Sequence, residues 1–325
     1  MFPAGACPHI LVWGWRFFGT PGAHLKNFTH KVAVITGAAS GFGREFAALG
    51  AQLGMKLVLG DVRPEALEQA ISELRTQGAQ VVGMQCDVSK GEQVEALAKL
   101  ALDNYGGVHV VFNNAGVGSG GLVWENSVND WEWVLGVNLW GAIHGVRVFT
   151  PLMLQQAERE ADYEGHIVNT ASIAGLLTPP LMGAYNVSKH AVVALTETLY
   201  HDLKTVNAKI TCSVLCPAFV ATGISESYRT RPAELRNDAD PTPSMRAAQA
   251  MVAKATSAGK VTAAEVAAMT FAAIREEQFY VLTHPKIMAT IKLRLEDISK
   301  LQNPRDPYAL KEEHKPKLDR QHTPT

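Results

Sequence analysis

Short apolar runs alternate with helix-length stretches along most of this chain, and that alternation limits the folds open to it. Val32–Thr36 reads Val-Ala-Val-Ile-Thr, apolar on successive residues rather than on alternate ones. A strand written that way is buried on both faces, the condition inside a parallel sheet. A helical stretch over 44–53 follows and stops at Gly54. The pattern then repeats. Strands are predicted at 56–60, 80–86, 108–113, 166–172, 209–215 and 279–283, and helices at 64 to about 78, 93–105, 128–151, 185–206 and 263–274. Parallel neighbours need long crossovers, and helices of this length supply them on both faces of a sheet. The expected fold class is therefore α/β, a doubly wound parallel sheet, in a single domain spanning 29–290.

The two ends stand outside the pattern. At 10–18 the run Ile-Leu-Val-Trp-Gly-Trp-Arg-Phe-Phe is interrupted by Gly14 and Arg16 and lacks the positive start of a secretory leader. Residues 1–28 are expected as an extension, either disordered or read through from an early start codon. Residues 291–325, and most clearly 303–325 with their Pro, Lys, Glu, Asp and His, are expected as a polar tail unable to fold alone. Composition narrows the functional classes. Thirty Lys+Arg balance 31 Asp+Glu, so the basic footprint of a nucleic-acid binder is missing. No stretch reaches the roughly 18–20 apolar residues of a membrane span. The 4 cysteines form no disulfide framework; Cys212 and Cys216 share a strand face about 13 Å apart. A reducing, cytoplasmic location is expected.

Thr36-Gly-Ala-Ala-Ser-Gly-Phe-Gly43 joins the first predicted strand to the first helix. Glycines at such a junction allow a tight turn, let backbone N–H groups approach a pyrophosphate, and let helix and strand pack closely. Asp61 closes the second strand, 18 residues past Gly43, near the spacing of a ribose-binding acid. A carboxylate there accepts from the ribose diol and repels a 2′-phosphate, which favours NAD over NADP. Arg63, two residues on, softens that preference.

Four further features follow in order: Asn113-Asn-Ala-Gly116 at the end of the fourth strand, Asn138 in the next helix, Ser172 closing the fifth strand, and Tyr185-Asn-Val-Ser-Lys189 opening the helix after it. Together with the glycine segment, this set resembles the compact short-chain dehydrogenase/reductase family, over about 29–222 and more weakly to about 283. The resemblance implies a Rossmann-like fold with NAD as cofactor. Tyr185 and Lys189 are four residues apart and share one helical face. A neighbouring ammonium and a positive nicotinamide ring are expected to lower the phenol from its usual value near 10, so that Tyr185 exchanges a proton with an alcohol or ketone. Ser172 would hold the reacting oxygen, and Lys189 would also bind the nicotinamide ribose. The resemblance further implies that Asn138 holds a water extending a proton relay from Lys189. It also implies that Gly37, Ser40, Gly41, Phe42, Gly43 and Asp61 line the phosphate and ribose end. Asp87 and Val88 would contact the adenine, and Asn114, Ala115 and Gly116 the adenosine side. Pro217, Val220 and Thr222 would hold the carboxamide end. The family's usual glycine after Pro217 is Ala218 here, which puts the geometry of that turn in question.

No His or Cys spacing fits a metal site, so none is expected. His109 reads as a core residue and His190 as turned away from Lys189. Trp131, Trp133 and Trp140 read as packing or interface residues, and Trp124 as one within reach of the pocket. Leu122, Val123, Leu176, Leu177, Pro179, Leu181 and Met182 supply apolar walls suited to a hydrophobic secondary alcohol or ketone. Residues 224–259, with Pro232, Pro241 and Pro243, are expected as a mobile lid. The helices at 128–151 and 185–206 suggest a homodimer or homotetramer. The leading expectation is an NAD-dependent oxidoreductase. The alternatives are a carbonyl reductase preferring NADPH and a non-catalytic dinucleotide-binding regulator.

Overall fold

The computed structural model describes residues 25–310 and Lys315. The apolar run at 10–18 lies outside the described residues.

Strands β1 (Val32–Thr36), β2 (Lys56–Asp61), β3 (Gln80–Gln85), β4 (Val110–Asn113), β5 (Gly165–Thr170), β6 (Ile210–Cys216) and β7 (Tyr280–Leu282) form one sheet. Among the described residues its order is β3-β2-β1-β4-β5-β6-β7, and every pairing is parallel. Helices α1 (Gly41–Gln52), α2 (Pro64–Thr76), α3 (Gly91–Tyr105), α4 (Val128–Leu135), α5 (Gly141–Arg159), α6 (Gly183–Thr205), α7 (Pro243–Ser257), α8 (Ala263–Arg275) and α9 (Met288–Ser299) surround it. The strand order reverses between β1 and β4. Their first crossovers leave in opposite directions, and a crevice opens beyond their carboxyl ends.

The continuous apolar strands divide between two cores because side chains alternate across a strand. Ala33, Ile35, Leu57, Leu59 and Phe112 face α1 and α8, while Val32, Val34, Val58 and Val111 face the other layer with Phe149 and Met153 of α5. In the first core Phe46 stacks on Phe112 at 4.5 Å, and Phe28 meets Phe271 edge-on at 5.0 Å. Leu25 and Phe28 are each 2% exposed. These two apolar side chains, which fall within the extension expected over 1–28, pack into the core on the α1–α8 side.

Three boundaries differ. The helix expected over 128–151 is α4 and α5 joined by a π-helical turn, Gly136–Trp140, and it continues through Pro151 to Arg159. Met153, wholly buried, extends the packed face beyond the proline. Strand β5 stops at Thr170 because Ser172 turns the chain, its hydroxyl accepting from the Ala174 N–H at 3.1 Å. The tail expected from 291 begins with α9, whose Ile291 and Asp297 are buried. Within 224–259 the chain forms short 3-10 turns, Gly223–Thr230 and Ala233–Leu235, and then α7, capped by the Thr242 hydroxyl.

Candidate active site

A cleft of about 1710 Å³ runs along the carboxyl ends of β1, β2, β4, β5 and β6. The catalytic and cofactor residues singled out from the sequence line it with two exceptions. Gly43 and Asn138 are absent from its surface, each for a structural reason. Of the expected apolar walls, Pro179 and Met182 line it and Leu122, Val123, Leu176, Leu177 and Leu181 do not.

At one end, Thr36 ties three elements together. Its hydroxyl donates to the Phe112 carbonyl at 3.2 Å and accepts from the N–H groups of Asn114 at 2.9 Å and Ala115 at 3.1 Å. The Asn114 amide in turn donates to the Thr36 carbonyl at 3.0 Å. This draws the β1 turn so close to β4 that a Cβ on Gly37 would stand 2.9 Å from Ala115 Cα. Gly37 and Gly41 also adopt positive φ, 65° and 52°. Gly43 lies inside the turn, where a Cβ would fall 2.2 Å from the Gly37 carbonyl oxygen. The first turn of α1 thus presents bare backbone N–H groups to the cleft. Ser40 sits at its N-cap but caps nothing; its hydroxyl accepts from the Arg63 guanidinium at 2.8 Å.

Asp61 is 4% exposed and ends β2. One carboxylate oxygen accepts from the Ala39 N–H at 3.0 Å, and the other from the Arg63 N–H at 3.0 Å and Nε at 3.1 Å. A second guanidinium nitrogen reaches the first oxygen at 3.3 Å. Asp87 accepts from the Ser89 N–H and hydroxyl at 3.0 and 2.8 Å, which fixes the loop after β3. Val88 is buried against Gly141. On the opposite side, Thr222 abuts Gly41, and Val220 is buried. Ala218 takes no left-handed φ and its N–H donates to the Thr283 hydroxyl at 3.3 Å, so the turn after Pro217 closes without a glycine.

At the other end Ser172, Tyr185 and Lys189 come together. Tyr185 lies in the first turn of α6 and Lys189 one turn later, both buried. Leu181, just before this helix, holds φ at 65°, a conformation costing an ordinary residue about 1–2 kcal/mol. Its carbonyl accepts from the Gly121 N–H at 2.8 Å, which pins the helix entry and so aims Tyr185. Burial holds the Tyr185 phenol above its ordinary value, and the neighbouring Ser172 hydroxyl pulls the other way without matching it. The expected lowering by Lys189 is not what shifts the phenol in the chain itself. Lys189 Nζ stands 5.7 Å from the phenol ring and donates to the Thr170 carbonyl at 2.9 Å. Burial lowers the ammonium to about 8.

Asn138 sits in the π-helical turn, where the wider winding points it inward. Its amide exchanges hydrogen bonds with Val117, accepting from the N–H at 2.8 Å and donating to the carbonyl at 3.0 Å. It also donates to Ser188 Oγ at 3.1 Å, and Ser188 donates to the Tyr185 carbonyl at 2.7 Å. Asn138 therefore braces the β4 loop against the helix that carries Tyr185. A Cβ placed on Gly116 would lie 3.4 Å from Asn138 Oδ1 and 3.5 Å from Lys189 Nζ.

Elsewhere the structure supplies what the sequence did not reveal. Arg231, half-buried, donates to the buried Asp130 at 2.6 Å and stacks over Trp133 at 5.2 Å. Thr242 and Ser244 each donate to Glu125 at 2.5 Å. These bonds anchor the segment after β6 onto the loop after β4, and neither partner stands near the other in sequence. Trp124 is 76% exposed and lines no part of the cleft, against the expectation that it reaches the pocket. His109 is a core residue stacked on Tyr163 at 5.4 Å. His190 turns back to the Asn186 carbonyl at 2.9 Å.

A short-chain dehydrogenase family model matches residues 31–233, from β1 through the first turns beyond β6. The chain belongs to the short-chain dehydrogenase/reductase family. As such it is an NAD(P)-dependent oxidoreductase. Among its relatives, a "CLA biosynthesis dehydrogenase/reductase" of Lactiplantibacillus plantarum is 35% identical over 277 residues, 84% of this chain and 95% of that protein. The 1-deoxy-11-beta-hydroxypentalenate dehydrogenase of Streptomyces exfoliatus is 30% identical over 277 residues, 85% of this chain and 90% of that protein. A short-chain dehydrogenase/reductase from Burkholderia phymatum, crystallised in complex with NAD, is 58% identical; it covers 86% of this chain and 98% of its own, with a TM-score of 0.84. Among the described residues of this dehydrogenase/reductase, no helix is long and apolar enough to cross a membrane.

Proposed function

We propose that this short-chain dehydrogenase/reductase interconverts a hydrophobic secondary alcohol and its ketone, with NAD preferred over NADP and Tyr185 as the general acid/base. The observation that carries the reading is the buried Ser172–Tyr185–Lys189 group at the foot of a cleft whose far end holds the buried carboxylate of Asp61. The residues present fit a dinucleotide. The Gly37 and Gly43 contacts leave room for backbone and nothing else, and the first-turn N–H groups of α1 suit a pyrophosphate. Bound there, the nicotinamide supplies or accepts the hydride. Ser172 donates to the reacting oxygen and keeps it beside the phenol. Tyr185 takes the alcohol proton in oxidation and returns it in reduction. Lys189, anchored on Thr170, keeps a positive charge under the phenol and reaches the ribose hydroxyls. Asn138 orders the relay behind Lys189 by holding Val117 and Ser188 in place.

Apolar side chains surround the phenol: Ala174 and Met182 are packed with it, and Ile224, Met251 and Val252 come from the segment above. They support a hydrophobic substrate carried under a lid over 224–259. The name of the Streptomyces relative specifies a hydroxylated carboxylate, consistent with an alcohol as the reacting group. Trp140 and Val187, 51% and 49% exposed on the α4–α5 and α6 helices, support a homodimer or homotetramer built on these helices.

One observation favours a second reading, a reductase using NADPH. The Arg63 guanidinium already bridges Asp61 and Ser40, and a cation in that place suits a 2′-phosphate. Both readings are tested by following NADH or NADPH absorbance with a panel of hydrophobic secondary alcohols and ketones. We expect turnover favouring NAD, and a loss of about 10³-fold in kcat for Tyr185→Phe with NADH binding retained. Undiminished turnover in Tyr185→Phe would refute the assigned role, and a preference for NADP would select the second reading.

A further inference from the structure

Over residues 300–310, beyond α9, the chain stays on the fold. Arg305 is clamped on the buried Asp297 carboxylate, its N–H at 3.0 Å and its Nε at 2.5 Å, and a further guanidinium nitrogen reaches the Leu293 carbonyl at 2.9 Å and Glu296 at 2.8 Å. From this anchor the chain turns at Asp306, whose carboxylate accepts from the Tyr308 N–H at 2.9 Å. Tyr308 then lies against α7, its hydroxyl 3.7 Å from Met251 Sδ. On its other side the same stretch faces Leu177 and Thr178 across a cleft of about 240 Å³, with Arg305, Asp306 and Pro307 along the near wall. The strap therefore touches α7, which walls the main cleft, and faces the loop that follows Ser172 across the smaller one. Met251, with Val252, is one of the α7 side chains packed against the cluster of Ala174, Met182 and Tyr185.

We propose that the strap at 305–308 is a specificity element of the substrate pocket, in which Tyr308 acts through Met251 as a positioning residue that holds α7 against the apolar wall beside Tyr185. The inference rests on the reading of α7 as part of the lid over the substrate. A methionine is the most adaptable of the apolar side chains, so its place depends on what backs it. With Tyr308 behind it, Met251 holds α7 in place, so that Ala248, Gln249 and Val252 of that helix wall the cleft and limit the bulk it takes. Without that support Met251 retreats, and discrimination between large and small substrates changes while the dinucleotide end is untouched.

Arg305 is a poor probe, because its loss strands a buried carboxylate and threatens α9 itself. Tyr308→Ala and Tyr308→Phe in the full chain are the better pair. Amide hydrogen exchange over 243–257 is read first, then the dissociation constant of NADH, then KM and kcat for one small and one bulky secondary alcohol. In Tyr308→Ala we expect exchange in α7 about tenfold faster, with the sheet unchanged. We expect NADH affinity within about twofold of the parent, and a KM ratio between the two alcohols shifted about fivefold at constant kcat for the small one. Tyr308→Phe, which removes only the hydroxyl that touches Met251 Sδ, should shift exchange in α7 and the KM ratio in the same direction by a smaller factor. Unchanged exchange in α7 and an unchanged KM ratio in Tyr308→Ala would overturn the proposal, as would faster exchange spread evenly over the sheet. Faster exchange confined to α7 in a protein that turns over no alcohol would support the strap and sink the alcohol–ketone reading instead.

Discussion

Gly43 shows how narrow the tolerances are at single positions. A Cβ there meets the Gly37 carbonyl at 2.2 Å and the Asn114 amide at 2.8 Å. The first neighbour is backbone, so the turn itself must give way. Gly43→Ala is expected to weaken NADH binding at least about tenfold, measured by quenching or transfer of NADH fluorescence, because the displaced turn carries the N–H groups of α1. Binding equal to the parent would show that the turn is softer than its contacts imply. The spacing of Gly37, Gly41 and Gly43 was readable in the sequence because only glycine meets such demands, and the buried Asp61 was readable from its place after an apolar run. The reach of Arg63 over both Asp61 and Ser40 was not. It depends on a side-chain fork whose partners come from two different loops.

Among the elements, the segment between β6 and α8 depends most on distant partners. Asp130 closes a capping box with Ser127 at the start of α4, and the same carboxylate accepts from Arg231 and Asn237. Asp130 is buried and Arg231 nearly so, at 7% and 13% side-chain exposure. Arg231→Ala leaves the carboxylate without its cation, and a loss of about 3 kcal/mol in urea unfolding is expected. A change below about 0.5 kcal/mol, the ordinary value for an exposed pair, would contradict the anchoring role. Helix α7 escaped the sequence reading because Pro241 and Pro243 read as a loop, whereas Pro243 occupies the first turn, where a proline costs no hydrogen bond. The π-helical turn at Gly136–Trp140 left no trace in the apolar pattern, since it shifts the winding by one residue without altering which side chains are apolar.

The whole molecule carries a pH dependence that resides in its core. His166 is wholly buried between Thr211 and Ser213, and burial lowers it to about 3; His109, packed on Tyr163, is lowered to about 4. Both are neutral in the fold and take up protons on unfolding once the pH falls below about 6.5. Between about 6.5 and 4 the unfolded chain binds more protons than the folded one, so stability falls as pH falls. Above 6.5 the two histidines contribute no slope. Urea midpoints measured from pH 7 to pH 4 should decline below 6.5, and His166→Asn should flatten the decline if the variant folds. A midpoint rising toward pH 4 would exclude this source.

The order of strands and helices, the doubly wound class and the positions of Ser172, Tyr185 and Lys189 were determined by the sequence itself. Each depends on local spacing: apolar residues in unbroken short runs, glycines where no Cβ fits, and a tyrosine and lysine one helical turn apart. What only the tertiary structure decided are the contacts that join parts far apart along the chain. Phe28 completes a core with Phe271, Arg231 finds Asp130, and Tyr308 returns to Met251. The shift of the Tyr185 phenol belongs with them, since burial outweighs the opposing pull of Ser172. Desolvation and long-range pairing depend on everything that packs around a group, and no window of sequence contains that.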